Sequence, residues 1–200
     1  MKVGIMGGTF DPPHVAHLII AELARVRLEL DKIVFIPAGD PWMKSAYIIT
    51  SAEKRVEMVS LAIASNPDFS LSLIEVNRPG PTYTVDTIEQ LSEEAGHDAG
   101  MFLLLGWDSV ADLPSWKAPY RISKMARIAA FPRPGFVKPD TAELEKAMPG
   151  IADRIVDMDE PYLSISSTCI RQRAREGKSV RYLVPDKVGQ YIIENNLYQA

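Results

Sequence analysis

KVGIMGGTFDPPHVAH, residues Lys2–His17, is the stretch that decides the fold. The mostly apolar run Lys2–Met6 predicts a buried strand, and Gly7-Gly8 allows a tight bend after it. Asp11-Pro12 has the residue types of a helix start, with Asp as the N-cap and Pro at the first helical position. A strand, a glycine turn and a helix N-terminus in this order aim backbone N–H groups at one point, together with the positive end of the helix dipole. The stretch therefore predicts a phosphate site.

Two histidines lie in the same stretch. His14 and His17 are three residues apart, so the spacing predicts both imidazoles on one face of the first helical turn. A dinucleotide fingerprint is a poor fit, because Gly4-x-x-Gly7-Gly8 does not supply G-x-G-x-x-G. A metal site is also a poor fit, because no Glu or third ligand completes a set such as HExxH. Two histidines beside an anion site therefore indicate phosphate chemistry.

The composition predicts one ordinary globular domain. The chain has 200 residues, of which 46% are apolar and 24% charged, enough to bury a substantial core. The net charge of −4, without a basic stripe, argues against a nucleic-acid partner. The single cysteine, Cys169, excludes an internal disulfide, and we interpret it as a packing residue. Because no signal-like start and no run of about 18 apolar residues occurs, we expect a soluble, cytoplasmic chain with no membrane partner.

The patterns along the chain predict an α/β fold. Val15–Leu28 predicts a helix and Lys32–Ile36 a second strand, so a right-handed parallel βαβ unit is the default. Met101–Leu105 is a continuous apolar run, typical of a central buried strand. Ligands in such sheets bind at the carboxyl ends of the strands. The remaining elements predicted are helices from the Thr50-x-x-Glu53 capping box to about Ser65, at Val85–Ala95, at Thr141–Met148, from near Thr168 and from Pro185, and strands at Phe69–Val76, Arg127–Phe131 and Ile155–Met158.

The opening stretch resembles a family signature. GGTFDPPHVAH is similar to the GGTFDPxHxGH motif of the HxGH nucleotidyltransferases, and among them to that of the bacterial nicotinate-nucleotide adenylyltransferases; Ala16 stands where the family usually has Gly. A second stretch, Ile165–Arg171 (ISSTCIR), matches the family's ISSTxIR motif almost completely. The likeness spans essentially the whole chain. It implies a Rossmann-like doubly wound parallel sheet in one domain, residues 1–200, with a small C-terminal helical part from about residue 160.

The resemblance also implies a reaction. ATP would transfer its adenylyl group to nicotinate mononucleotide in NAD biosynthesis, releasing pyrophosphate without a covalent enzyme intermediate. Mg²⁺ is expected with ATP, bridging phosphate oxygens more than held by a protein cage. Two alternatives stay open: nicotinamide mononucleotide or phosphopantetheine as the acceptor, or a nucleotide-binding module without turnover. The oligomeric state is also open, and a homo-oligomer is compatible with the sequence.

The family's phosphate chemistry carries over to particular residues. The resemblance gives catalytic roles to His14, His17, Lys44 and Arg171, with His17 stabilising charge at the α-phosphate and Lys44 and Arg171 near the outer phosphates. In the lysine loop, Met43 stands where the family commonly has a histidine. The residues that the resemblance assigns to ATP are Gly7, Gly8, Thr9, Phe10, Gly106, Asp108, Arg133, Ser166, Ser167 and Thr168.

The acceptor site carries over in the same way. The resemblance implies that main-chain donors at Tyr83 and Thr84 hold the nicotinate carboxylate, and that Trp116 stacks on the pyridine ring. An indole face attracts a pyridinium cation by ~0.5–2 kcal/mol. Each residue also has an ordinary interpretation when taken alone: an N-cap for Thr84, a core position for Trp116, and for Asp108 a helix cap beside or instead of a ribose contact.

Overall fold

The computed structural model describes residues 1–39, 49–96 and 98–199. The strands in that part of the chain are β1 (Lys2–Gly8), β2 (Lys32–Pro37), β3 (Phe69–Leu71), β4 (Gly100–Gly106), β5 (Ala126–Phe131) and β6 (Ile155–Asp157). The helices described are α1 (Val15–Leu28), α2 (Ala52–Ile63), α3 (Thr84–Ala95), α4 (Trp107–Asp112), α5 (Pro119–Met125), α6 (Thr141–Ala147), α7 (Ser167–Arg175) and α8 (Asp186–Glu194). Two short 3-10 turns lie at Leu113–Ser115 and Ala152–Arg154.

The six strands form one sheet in the order β3-β2-β1-β4-β5-β6. β1 pairs parallel with β4, with Lys2 opposite Gly100, and β4 and β6 both pair parallel with β5. The chain steps outward from β1 to β3 and then resumes on the other side of β1, as a doubly wound sheet does. The predicted doubly wound α/β fold is confirmed. The order reverses at β1 and β4, and site residues predicted from the sequence follow each of these two strands.

The chain divides into two compact units, and each takes part of β1, α1 and β2. The first unit comprises Met1–Met6, Ile20–Ile33 and Tyr83–Ser164. The second unit comprises Gly7–Ile19, Val34–Thr82 and Ile165–Ala200. The assignment of residues 1–200 to one domain stays a prediction.

The core of each unit follows from its apolar runs. In the first unit, β4 and β5 are buried along most of their length, and Ile128 and Ala129 are fully enclosed. In the second unit, α2 packs against α8.

The sequence predicts Val56 on the buried face of α2, but Val56 is only half-buried and the neighbouring Arg55 is 1% exposed. Arg55 takes the buried position because its guanidinium donates hydrogen bonds to three backbone carbonyls.

The predicted end of β3 and the predicted cap of α2 are wrong. The strand expected at Phe69–Val76 ends at Leu71, because the Ser72 hydroxyl accepts a hydrogen bond from the Ile74 N–H (3.4 Å) and the chain turns. The capping box at Thr50 does not form, since α2 begins at Ala52 and its N-cap, Ser51, makes no side-chain cap. Local hydrogen bonding therefore overrides the alternation pattern, and tertiary contacts override the cap pattern.

Among the residues that the structure describes, no helix is both long and apolar enough to cross a bilayer.

Candidate active site

Asp11 anchors the loop that follows β1. The predicted helix start at Asp11-Pro12 is wrong, because α1 begins at Val15. Asp11 is instead 4% exposed, and its carboxylate accepts hydrogen bonds from the Tyr198 hydroxyl at Oδ1 (2.7 Å) and the Thr50 N–H at Oδ2 (3.3 Å). A buried carboxylate needs such donors to offset the loss of water. Asp11 therefore fixes the loop to two distant parts of the second unit.

The two histidines lie in contact at the start of α1. His14 precedes the helix and is 6% exposed, and the rings of His14 and His17 stack with their centroids 3.6 Å apart. The backbone N–H of His14 donates to Nδ1 of His17 (3.1 Å). Because Nδ1 accepts this hydrogen bond, a neutral His17 carries its proton on Nε2. His17 can therefore donate a hydrogen bond to an anionic oxygen from Nε2.

Phe10 supports the histidine pair from the glycine turn. Its ring meets the ring of His17 edge-on, with the centroids 5.0 Å apart, and its backbone lies in the left-handed region with φ +50°. A Cβ added to Gly8 would lie 3.2 Å from the Phe10 ring, so Gly8 leaves room for that ring. Gly7 is exposed, and a Cβ added there would meet no described atom within 4 Å. The Phe10 ring thus fills the space beside Gly8, whereas no described atom fills the space beside Gly7.

The second signature begins α7. The hydroxyl of Ser166 caps the helix by accepting from the backbone N–H of Cys169 (3.2 Å). The hydroxyl of Ser167 donates to the carbonyl of Pro12 (2.8 Å), which lies 155 residues earlier in the chain. Cys169 is exposed, so its interpretation as a packing residue is wrong. The helix start is therefore capped by one serine and attached to the first signature by the next.

Arg171 makes a second bridge between the signatures. Its Nη1 donates to the carbonyl of Asp11 (2.8 Å), across 160 residues of sequence, and its Nη2 donates to the hydroxyl of Thr168 (3.3 Å). A guanidinium carries five N–H groups, and these hydrogen bonds occupy two of them. Arg171 is therefore held in place and keeps donors with which it can bind a phosphate.

Arg55 was not predicted as a site residue from the sequence. This buried arginine donates to three backbone carbonyls: from Nε to Thr50 (2.9 Å), from Nη1 to Thr9 (2.9 Å) and from Nη2 to Gly39 (3.2 Å). Burial lowers the pKa of Arg55, and the charge of Asp11 acts in the opposite direction. The available signal was an arginine on the same helix face as Met58 and Val59, where a charge needs a structural reason.

Tyr198 was likewise not predicted as a site residue. Burial and the neighbouring Asp11 carboxylate raise its pKa far above the ordinary value of about 10, so the hydroxyl remains a proton donor at neutral pH. The sequence offers only a weak signal, an aromatic residue near the C-terminal end, because its partner lies 187 residues away.

Asp108 and Arg133 form an ion pair in the first unit. Asp108 follows β4 at Gly106, and its Oδ2 lies 2.7 Å from Nη1 of Arg133. Within the described residues, Oδ1 of Asp108 is buried and has no hydrogen-bond partner. The same is true of Nε1 of Trp107. A Cβ on Gly106 would lie 2.6 Å from that Oδ1, so the carboxylate position requires glycine there. One oxygen of Asp108 thus keeps an acceptor that no described residue satisfies.

The predicted acceptor residues also lie in the first unit. α3 begins at Thr84 with Tyr83 as its N-cap, so the cap lies one residue earlier than predicted. The first N–H groups of a helix have no intrahelical acceptor, which leaves donors at this end of α3. Lys117 lies with Nζ 4.0 Å from the centroid of the Tyr83 ring and 3.2 Å from the Asp86 carboxylate. Trp116, next to Lys117, is half-buried.

One predicted catalytic residue, Lys44, lies outside the described residues, as do Trp42 and Met43. No group of three or more His, Cys, Asp and Glu side chains in residues 1–39, 49–96 and 98–199 could hold a metal ion. The structure brings His14, His17 and Arg171 together in the second unit, and Asp108 with Arg133 in the first. The roles assigned to all of these residues stay predictions.

Comparison with known proteins places the chain in a family. Residues 5–173 match the family model described as cytidylyltransferase-like, so the chain belongs to that class of nucleotidyltransferases. It is 43% identical over 198 residues to a "probable nicotinate-nucleotide adenylyltransferase" of Dehalococcoides mccartyi, covering 99% of this chain and 97% of that one. A protein of the same name from Herpetosiphon aurantiacus is 45% identical, covering 100% of this chain and 99% of its own. The chain is a member of the nicotinate-nucleotide adenylyltransferase family.

Solved structures share the fold. The nicotinic acid mononucleotide adenylyltransferase of Plasmodium falciparum, complexed with NaAD, superposes with a TM-score of 0.79 at 20% identity, covering 98% of this chain and 97% of that one. A structure described as a "Putative Nicotinate-nucleotide Adenylyltransferase" from Vibrio parahaemolyticus gives a TM-score of 0.70 at 17% identity, covering 99% of this chain and 95% of that one. At these identities the likeness shows the fold alone.

Proposed function

We propose that this protein transfers the adenylyl group of ATP to nicotinate mononucleotide, forming nicotinate adenine dinucleotide and pyrophosphate in NAD biosynthesis. The observation that carries the proposal is the attachment of α7 to the loop after β1, through Arg171 to the Asp11 carbonyl and Ser167 to the Pro12 carbonyl. This attachment brings two phosphate-binding signatures, about 160 residues apart, into contact. Family membership over 99% of the chain supports the same reaction.

The reaction requires that the substrates be positioned and the phosphate charge neutralised, and it requires no protein nucleophile. An oxygen of the 5′-phosphate of nicotinate mononucleotide attacks the α-phosphorus of ATP, and the bond from that phosphorus to the bridging oxygen of the β-phosphate breaks. Pyrophosphate leaves with the electron pair of that bond. Nε2 of His17 donates to an α-phosphate oxygen as negative charge develops there, with His14 stacked against it. Arg171 and Lys44 neutralise the outer phosphates.

Asp108 and the acceptor residues supply recognition. The buried, unpartnered Oδ1 of Asp108 is suited to accept from a ribose hydroxyl. The N–H groups at the start of α3, near Tyr83, and the positive end of that helix favour a carboxylate over a neutral amide. The ammonium of Lys117 lies beside Tyr83 but is paired with the Asp86 carboxylate (3.2 Å), so we assign the nicotinate carboxylate to the backbone donors of α3 and not to Lys117. This arrangement supports nicotinate, rather than nicotinamide, mononucleotide as the acceptor.

Mg²⁺ enters the proposal with ATP. In the described chain no acidic cluster could form a protein cage, so phosphate oxygens and water are the expected ligands. Bound there, the ion would neutralise charge on the phosphates. The cytoplasmic location, the lack of nucleic-acid and membrane partners and the oligomeric state stay predictions, and the substrates proposed are small molecules.

Product analysis tests the proposal. The protein is incubated with ATP, Mg²⁺ and nicotinate mononucleotide, and the dinucleotide is identified by mass spectrometry. We expect nicotinate adenine dinucleotide and pyrophosphate in equal amounts, and the same incubation with His17→Ala is the control. ATP binding without any dinucleotide would contradict the proposal and favour a nucleotide-binding module.

A further inference from the structure

Side chains from elsewhere in the second unit hold the backbone of the loop after β1. The carbonyl of Thr9 accepts from Arg55, that of Asp11 from Arg171 and that of Pro12 from Ser167. Three carbonyls within four residues are thus fixed by donors 46, 160 and 155 residues away. The shape of this loop, and with it the position of His14, is therefore imposed by its surroundings.

The Asp11 carboxylate is the side-chain counterpart of these contacts. It is buried, its shorter hydrogen bond comes from the Tyr198 hydroxyl (2.7 Å), and the bond from the Thr50 N–H is longer (3.3 Å). The same Tyr198 hydroxyl lies 3.9 Å from Sδ of Met58, on α2. Tyr198 belongs to neither signature and touches the loop only through Asp11 in the contacts described.

The chain after α8 is shaped to deliver this hydroxyl. Asn196 and Tyr198 both lie in the left-handed region, with φ of +49° and +65°, and Leu197 between them is 8% exposed. This region is unfavourable for Tyr and is tolerated better by Asn, and such strain persists where surrounding contacts impose it. The buried Leu197 side chain and the Tyr198–Asp11 hydrogen bond are the contacts that offset this strain.

We infer that Tyr198 is a positioning residue for adenylyl transfer, acting through Asp11 on the loop that carries His14 and on the carbonyl that orients Arg171. The inference rests on the proposed function. Without the hydroxyl, the buried carboxylate keeps only its longer hydrogen bond to Thr50 and turns toward other donors. The Asp11 carbonyl then shifts, and Arg171 shifts with it. Because Arg171 is assigned to the outer phosphates of ATP, we expect the effect on ATP and not on nicotinate mononucleotide.

The experiment compares wild type, Tyr198→Phe and Tyr191→Phe. The first substitution removes one oxygen and keeps the ring. The second is the matched control, because Tyr191 is a half-buried tyrosine on α8, in the same C-terminal segment. We expect Tyr198→Phe to lower kcat about 10-fold and to raise the KM for ATP about 3-fold or more, with the KM for nicotinate mononucleotide unchanged, since small misplacements at a reacting centre are costly. We expect Tyr191→Phe to match wild type.

A merely structural role predicts another pattern. In that case Tyr198→Phe lowers the Tm, while kcat per folded molecule and both KM values equal those of wild type, and this result would overturn the inference. Equal rises in both KM values would overturn it as well. If Tyr198→Phe does not fold, Asp11→Asn is assayed in the same way, because its amide has one acceptor oxygen and cannot accept from Tyr198 and Thr50 on two separate oxygens as the carboxylate does.

Failure of the proposed function is recognised separately. A wild-type protein that forms no dinucleotide from ATP and nicotinate mononucleotide refutes the reaction, whatever Tyr198 does. Titration calorimetry with a non-hydrolysable ATP analogue then decides the positioning role without turnover. Weaker binding by Tyr198→Phe than by Tyr191→Phe supports the inference, and equal binding contradicts it.

Discussion

A single hydrogen bond determines which nitrogen of His17 carries a proton. The His14 backbone N–H donates to Nδ1, so Nε2 is the donor in the neutral ring. The stacked ring of His14 and the edge of Phe10 limit the orientations that His17 can adopt. The site therefore offers one oriented donor, to which we assign the charge that develops at the α-phosphate in the proposed reaction.

Removing that donor tests its role. We expect His17→Ala to lower kcat by about 10²–10³-fold, as loss of an oriented donor to a developing oxyanion does. We expect the Tm to change by only a few degrees, because His17 is half-buried at the start of α1. Steady-state pyrophosphate release and a thermal melt measure the two effects, and near-normal turnover would remove His17 from the mechanism.

Trp116 is tested by the selectivity of its effect. We expect Trp116→Ala to raise the KM for nicotinate mononucleotide about 3- to 30-fold, matching the ~0.5–2 kcal/mol of an indole–cation contact, and to leave the KM for ATP unchanged. Trp116→Phe, which keeps an aromatic face, should fall between the alanine variant and wild type. Equal weakening of both substrates would assign Trp116 to the core instead.

Helix α7 shows how an element presents phosphate-binding groups. Its N-cap hydroxyl on Ser166 satisfies the backbone N–H of Cys169, the neighbouring Ser167 attaches the helix to Pro12, and Arg171 lies in the second turn. The positive end of the helix dipole adds to the charge of Arg171 at this end. The element therefore has separate residues for capping and attachment, and a third, Arg171, to which we assign phosphate binding.

The cap can be tested apart from the other two roles. We expect Ser166→Ala to lower the free energy of unfolding by about 1 kcal/mol, the usual cost of a lost N-cap. Ser164→Ala, an exposed serine two residues before the cap, is the matched control and should unfold as wild type. Urea denaturation measures both, and identical midpoints for the two variants would show that the Ser166 hydroxyl contributes nothing to α7.

For the whole molecule, local patterns predicted the elements and missed the contacts that hold the site. The apolar runs of β1, β2, β4 and β5 located the central strands, and the family motifs located both signatures. The buried roles of Asp11, Arg55 and Tyr198 were not predictable, because all of their described partners except Thr50, which lies 5 residues from Arg55, are 16 to 187 residues away and no local period encodes them. Asp11 even carries the local pattern of an N-cap, which burial overrides.

The Tyr198 hydroxyl makes the free energy of unfolding depend on pH in the alkaline range. Its pKa is raised in the folded state above the ordinary value of about 10, so its contribution is complete below pH 10 and is lost as the pH rises beyond that value. We expect the free energy of unfolding of wild type to fall above pH 10 more steeply than that of Tyr198→Phe, by up to about 1.4 kcal/mol per pH unit. Urea unfolding from pH 8 to 11 measures this, with the exposed Tyr182→Phe as a control that keeps the wild-type slope. Parallel curves for wild type and Tyr198→Phe would contradict the assignment.

Acceptor choice tests the central claim most directly. Pyrophosphate release from ATP and Mg²⁺ is measured in parallel with nicotinate mononucleotide, nicotinamide mononucleotide and phosphopantetheine as acceptors. We expect a kcat/KM for nicotinate mononucleotide about 10-fold or more above that for either other acceptor, because the donors at the start of α3 favour a carboxylate. Equal or faster release with the amide or with phosphopantetheine would contradict the acceptor assignment, and no release with any acceptor would contradict adenylyl transfer itself.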